Sequence, residues 1–325
     1  MKKLCLLVLC FSVSIVVYGA TIPRTILSHE GNLTQYDASH WQDAFTAAVD
    51  GDIIYFTPGT FYGDFSITKS ITLIGAGVAE TDAFYYDTDI ATAYAGCGTS
   101  GESILCLNRI DFAVSGTSPS SIVMEGFKII QRDVWPQGLR VSQDLTNLTI
   151  KRCQVQLDLL VEEGKTLSNL QMESTYQSSI HCARITDANI YKCFIEGFVG
   201  EGISDITLTN CMINNIDADN CHFLNCGTWG WPGVHVNSYV NCIYKDFSEY
   251  NNYTNCWQND TPASLTKTQL QTLGYVDGEG VVVGPLGGTD AFTLIPSQPY
   301  VSSSTLTYNS STKKLNVSMT IKKGE

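Results

Sequence analysis

Charge is scarce in this chain: Asp, Glu, Lys and Arg together make up 16% of its 325 residues. Cations are the scarcer kind, 19 against 32 anions, for a formal net charge of −13. A balance of that sign repels phosphate backbones and anionic headgroups, so no nucleic-acid partner is expected and membrane-surface binding is disfavoured. Methionine (5) and proline (9) are few, and the 27 glycines follow no triplet period, which excludes collagen-like and proline-rich linker chains. With 44% hydrophobic residues, the composition is not that of a disordered protein. Beyond residue 20 no run approaches the ~18 unbroken apolar residues of a membrane-spanning helix, so no span is expected once the leader is removed.

The leader itself has a positive start, Lys2-Lys3, an apolar run from Leu4 to Val17, and small residues at Gly19 and Ala20. It reads as a secretory signal peptide over residues 1–19. Its short Lys-Lys opening suggests a bacterial product, secreted or held in the cell envelope (periplasm or outer surface). Twelve cysteines in an exported chain invite a disulfide framework. The spacing of most of them points elsewhere.

An eight-residue frame recurs: apolar, x, apolar, x, turn residue, small or apolar, x, apolar. It appears as Ile71-Leu73-Gly75-Ala76-Val78, Ile122-Met124-Gly126-Phe127-Ile129 and Leu148-Ile150-Arg152-Cys153-Val155. Later copies are Ala188-Ile190-Lys192-Cys193-Ile195, Ile206-Leu208-Asn210-Cys211-Ile213 and Ile216-Ala218-Asn220-Cys221-Phe223, with looser ones at Thr175, Cys242 and Cys256. From position 127 the centres advance by 26, 22, 18, 18, 10, 21 and 14 residues, mostly near the solenoid period of about 20. Alternation within each copy is a strand signature and the interruption a sharp bend. The expected fold is therefore all-β: a right-handed parallel β-helix, or solenoid, with like side chains stacked from one coil to the next.

Two ladders follow from that geometry. Asn210, Asn220, Asn241 and Asn255 fall at the bend, where Asn or Gly most easily adopts a left-handed backbone; Arg152 and Lys192 fit it less well. The next residue gives an inward cysteine ladder, Cys153, Cys193, Cys211, Cys221, Cys242 and Cys256. Stacking at ~4.8 Å exceeds the ~3.8 Å between the Cβ atoms of a disulfide, so these are expected to be reduced core residues. A zinc site at Cys221, His222 and Cys226 is the sharper alternative. Cys97 and Cys106, in an irregular insertion, are the expected disulfide.

Open ends of a solenoid need covers. Within residues 20–51, Ser39-His40-Trp41-Gln42 reads as a capping box, and Trp41, Phe45 and Val49 as the apolar stripe of an N-terminal capping helix. Residues 52–260 are the expected β-helix, with an insertion at about 79–119. Residues 261–325 form a C-terminal cap, helical over Ser264 to Leu273, with a short strand at Val281-Val282-Val283 and a β-hairpin appendage over 300–322.

The segment Asp50-Gly51-Asp52-Ile53-Ile54-Tyr55-Phe56-Thr57-Pro58-Gly59-Thr60-Phe61, followed by Ile67 to Gly77, resembles the opening of the pectin-lyase-like right-handed parallel β-helix superfamily. The Asn-Cys bends resemble later coils of the same superfamily. The tail, with Gly284-Pro285-Leu286-Gly287-Gly288 and Phe292-Thr293-Leu294-Ile295-Pro296-Ser297, resembles that of secreted or surface β-helix proteins of Bacteroides-type bacteria. The resemblance implies a fold and not a reaction, because the superfamily spans lyases, hydrolases, esterases, tailspikes and non-enzymatic surface proteins. A polygalacturonase-like set is missing: Thr149-Ile150-Lys151-Arg152 has the wrong order, and His235 is followed by Val236.

Catalysis on an acidic polysaccharide needs a base and a means of neutralising the uronate. Arg132, Arg140, Arg152, Arg184 and Lys192 are the candidate cations, and Asp187, Asp205, Asp217 and Asp219 the candidate ligands for calcium. Their bland reading is a set of solvated outer-face residues. A second feature is Cys226-Gly227-Thr228-Trp229-Gly230-Trp231-Pro232-Gly233, followed by Tyr250, Tyr253 and Trp257. Aromatic faces can stack on sugar rings, or simply pack against the C-terminal appendage; Trp135 is a weaker candidate of the same kind. The expected function is binding of a polysaccharide or cell-surface glycan without catalysis. The alternatives are a calcium-dependent polysaccharide lyase or glycoside hydrolase, and a structural spacer.

Overall fold

The computed structural model describes residues 23–77, 102–116, 119–133, 137–181, 184–200, 204–230, 236–262, 265–288, 291–292, 300–309 and 314–322. The expected signal peptide, most of the expected insertion, Cys97 and with it the Cys97–Cys106 pairing, Trp135, Trp231 and His235 lie outside these. The protein is mostly β, 51% strand against 6% helix, in long parallel sheets.

The first sheet has twelve strands. Its parallel run passes through Ile53–Phe56, Thr72–Ile74, Ser121–Glu125, Asn147–Lys151, Leu170–Glu173, Thr186–Tyr191, Ser204–Thr209, Cys221–Leu224, Ser238–Val240 and Asn252–Thr254. The second sheet takes the strands that follow each bend: Gly59–Tyr62, Ser103–Leu107, Phe127–Gln131, Gln154–Val155, Tyr176–His181, Phe194–Gly200, Met212–Ala218, Gly227–Thr228, Ile243–Tyr244 and Trp257–Gln258. A side branch, Phe65–Ile67, Arg109–Phe112, Gly138–Val141 and Leu159–Val161, joins this sheet at Tyr176–His181. Residues 103–112 thus belong to the ladder and not to a loop, a correction to the expected insertion over 79–119.

Alternation explains the core. In the first sheet Ile54, Leu73, Met124, Ile150, Met172, Ile190, Leu208, Phe223 and Tyr239 stand in register on successive strands, and all are buried. Phe61, Leu105, Ile129, Val155, Gln177, Ile195 and Ile213 make the facing row of the second sheet. Burying one such apolar side chain contributes roughly 1.5–3 kcal/mol.

The bends carry a second regularity. Gly126, Arg152, Ser174, Lys192, Asn210, Asn225, Asn241 and Asn255 all have left-handed backbones, with φ between 48° and 77°. The residue after each bend from Arg152 onward is Cys153, Thr175, Cys193, Cys211, Cys226, Cys242 or Cys256. The expected ladder member Cys221 is therefore replaced by Cys226. Cys221 pairs with Ile206 inside the first sheet. Asn220 does take the expected left-handed backbone (φ 57°), but at the strand start beside Asp187 and Asp205, and Asn225 supplies the corner into the second sheet.

Hydrogen bonds explain this choice of residues. Cys242 Sγ accepts the Cys226 N–H at 3.3 Å and donates to the Phe223 carbonyl at 3.4 Å. Thr175 Oγ1 does the same between Cys153 N–H and Ile150 O, both at 3.4 Å. Such a corner side chain joins its own repeat to the one before. The Cys221, His222, Cys226 zinc alternative is not assembled, because Cys221 and Cys226 are buried while His222 on the intervening position is exposed.

The ends differ from expectation in detail. An antiparallel hairpin, Arg24–His29 with Asn32–Asp37, extends the first sheet ahead of Ile53–Phe56. Helix α1 is only Asp43–Ala47, and Gln42, not Ser39, is its N-cap, without a side-chain bond. The Ser39 hydroxyl is held by Asp37 Oδ1 at 2.6 Å, which also accepts the Ser39 and His40 N–H groups. Trp41 and Phe45 do pack inward, against Phe56, Phe61 and Phe65, while Val49 lies past the helix and is exposed.

At the other end α2, Lys267–Leu273, starts at a Thr266–Gln269 capping box and ends at left-handed Gly274. Its Leu270 joins Val282 and Val283 over Ile243, on the outer face of the second sheet. The expected strand at 281–283 is a single antiparallel bridge, Val276 to Val282. Tyr300–Asn309 and Lys314–Lys322 form an antiparallel hairpin.

Candidate functional site

The outer face of the second sheet has three zones. Near its start Ile104, Cys106 and Ile130 alternate with the core row, yet they are buried as a cluster of their own. Near its end Gly227 lies against Pro285 and Pro262, Ile243 is covered by α2 and its successor, and Trp257 stacks on Tyr275 at 5.2 Å. Between these covered zones Tyr176, Phe194, Met212 and Trp229 are half-buried.

The middle zone is built from the residue after each corner. Tyr176, Phe194 and Met212 are register neighbours on adjacent strands, about 4.8 Å apart. The Tyr176 and Phe194 rings stack with centroids at 5.5 Å, and Trp229 leans on Phe194 at 5.5 Å. Glu196, two residues beyond Phe194 on the same side of the strand, accepts a hydrogen bond from the Tyr176 hydroxyl. The result is a line of aromatic surface with one carboxylate beside it. Gly230 is required next to it, since a Cβ there would sit 1.8 Å from the Asn214 carbonyl oxygen.

Of the expected aromatic residues that are described, only Trp229 belongs to this line. Trp257 donates its Nε1–H to the Val276 carbonyl at 3.2 Å and packs on the C-terminal segment. Tyr253 stacks on Tyr239 and Phe247 at the end of the core, with its hydroxyl accepting from Ser248 N–H and Asn251 Nδ2. Tyr250 is exposed in the loop before it. Tyr176, Phe194 and Glu196 were not singled out from the sequence. Their signal was there: Tyr176 and Phe194 directly follow the corner residues Thr175 and Cys193.

The candidate cations are dispersed. Arg132 directly follows the second-sheet strand Phe127–Gln131 and pairs with Asp133 at 3.2 Å, an interaction that raises its pKa. Arg140 lies on the side branch and is paired with Glu162. Arg152 occupies a bend and pairs with Glu125. Arg184 is exposed ahead of Thr186–Tyr191. Lys192 sits in a bend with Nζ 5.2 Å from the Tyr191 ring centroid, and its burial lowers its pKa.

The aspartates are brought together in part. Asp187 and Asp205 hold equivalent positions on neighbouring strands, both with left-handed backbones and both exposed. Asp219 accepts the Val236 N–H at 2.9 Å. Among the described residues no group of three or more His, Cys, Asp or Glu side chains gathers as a metal site would.

Asp217 belongs to a different row. Along the side branch and the strands that continue it, Asp111, Arg140, Leu160, His181, Val199 and Asp217 stand in register. Arg109 pairs with Asp111 at 3.0 Å and His181 with Asp158 at 3.5 Å, so ionisable groups of both signs line this face. Among the described residues no helix is long and apolar enough to cross a membrane. No protein-family model matches the chain, and neither a curated protein nor a solved structure does.

Proposed function

We propose that this chain is an exported right-handed parallel β-helix protein of the pectin-lyase-like kind that binds a polysaccharide or cell-surface glycan without transforming it. Support for the winding comes from strands that alternate between two parallel sheets, with inward rows and left-handed bends recurring at each turn of the chain. The observation that carries the binding reading is the half-buried row of Tyr176, Phe194 and Trp229 between two covered zones. Apolar ring surface left partly open in a line suits the C–H groups of successive sugars, and Glu196 offers an acceptor for a hydroxyl.

Alanine replacement of Trp229 removes one half-buried ring from the row. Glycan-array binding should fall by about tenfold or more, the cost of one aromatic contact, with the melting temperature nearly unchanged. A variant that binds like its parent ends this reading.

One observation favours a second reading. Arg140, His181 and Asp217 share a face with Asp111, which is the kind of row a polysaccharide lyase or glycoside hydrolase would use. That reading predicts new absorbance near ~235 nm, from an unsaturated uronate, or new reducing ends on acidic polysaccharides. Both signals should disappear in His181→Ala.

A further inference from the structure

The outer face of the first sheet holds a groove of about 410 Å³, on the other sheet from Trp229. Two register rows line it. Thr149, Gln171 and Asn189 form one. Lys151, Glu173 and Tyr191 form the other, which ends at Thr209. Four strands at ~4.8 Å spacing make a floor ~14 Å long, enough for a short oligosaccharide.

The chemistry of this lining is specific. Amides and hydroxyls both donate and accept, as sugar hydroxyls do. Its two charges cancel, since Lys151 Nζ lies 3.2 Å from Glu173 Oε2 and sets one donor beside one acceptor. The Glu125–Arg152 pair on the rim cancels likewise. An anionic ligand would meet Glu173 and Glu125 on a molecule of net charge −13. A cationic one would meet Lys151 and Arg152. The half-buried Tyr191 adds a ring face.

Backbone conformation marks the same place. Arg152 (φ 50°) and Lys192 (φ 53°) hold left-handed bends that every later repeat gives to Asn. A non-glycine residue there costs about 1 kcal/mol, and such strain persists where a side chain is needed. Lys192 Nζ stands 5.2 Å from the ring of Tyr191, which lines the groove, and Arg152 pairs with Glu125, the register neighbour of Lys151.

We propose that this groove is a binding site for an uncharged saccharide. It shares its ligand class with the glycan reading above but none of its residues, so the two fail separately. The test is calorimetric titration of the full chain with uncharged, uronate-bearing and amine-bearing oligosaccharides of equal length. Each is titrated at about 50 mM and about 500 mM salt, across which exposed charges become screened.

Uncharged oligosaccharides should bind best and with an affinity indifferent to salt. Thr149→Val combined with Asn189→Leu should weaken them about tenfold, the loss of one or two hydrogen bonds, while Trp229→Ala leaves this binding intact. Asn189 is exposed, so the double variant should keep the parent's melting temperature. The proposal is overturned if no uncharged oligosaccharide binds, if a charged one binds more tightly, or if the double variant binds like the parent. Loss of uncharged-saccharide binding in Trp229→Ala with retention in the double variant would overturn it too, and would favour the aromatic row.

Discussion

At the scale of the residue, the corner side chains explain why this chain carries so many buried thiols. A residue leaving a left-handed bend has its N–H aimed along the stack, and the next repeat must supply an acceptor there. Cys and Thr do so with a short side chain that also donates back. Burial pushes the Cys153 thiol up to about 11 and that of Cys221 to about 12, so neither is a nucleophile at neutral pH. The division of labour can be tested at Cys242. Cys242→Ala strands the buried Cys226 N–H and leaves a small void, so it should cost about 2–3 kcal/mol in urea unfolding. Cys242→Thr restores the pair of bonds that Thr175 makes and should cost about 1 kcal/mol or less. Equal losses in the two variants would mean that the thiol only fills space.

At the scale of the element, each repeat is set by its bend. Ser174 adopts φ 48° between Arg152 and Lys192, whereas Asn210, Asn225, Asn241 and Asn255 fill the same position later in the chain. Asn tolerates that backbone at least strain, and its amide can reach the next one, as Asn255 Nδ2 reaches Asn241 Oδ1 at 3.3 Å. Ser174→Asn should therefore raise stability by about 0.5–1 kcal/mol, read as a higher melting temperature. The same bends made the strand order legible from sequence, because an Asn-Cys pair is a strong local mark.

Legibility failed where spacing tightened. The last corners, Cys193, Cys211, Cys226, Cys242 and Cys256, lie 18, 15, 16 and then 14 residues apart, and the Asn220-Cys221 pair falls between the second and third, so Cys221 was mistaken for a corner. The Arg24–Asp37 hairpin was hidden because its outer strand, Asn32–Asp37, is largely exposed and shows no apolar alternation. Ser39 misled because Asp37, two residues away, competes for its hydroxyl. Site residues were legible only singly. Phe194 and Trp229 are 35 positions apart in sequence, and nothing local says that their rings meet.

At the scale of the whole molecule, two apolar clusters divide the work, beside the small one of Ile104, Cys106 and Ile130. The larger runs from Leu27 to Cys242 inside the two sheets and includes neither Ile243 nor any residue of α2. The smaller joins Ile243 to Leu270, Val282 and Val283 on the outside. Removing residues 261–325 should therefore leave the sheets folded, since no inward row loses a member. It would uncover Ile243 and the face of Trp257, several side chains whose burial is worth roughly 1.5–3 kcal/mol each. The truncated chain should keep its far-ultraviolet circular dichroism, bind a hydrophobic dye and self-associate as its concentration rises, because an apolar patch beside an open sheet edge favours pairing. A truncated chain that is monomeric and dye-free would show that Ile243 finds other cover. One that loses its strand signal would show that the outer segment and the sheets form a single cooperative unit, with the smaller cluster as indispensable as the larger.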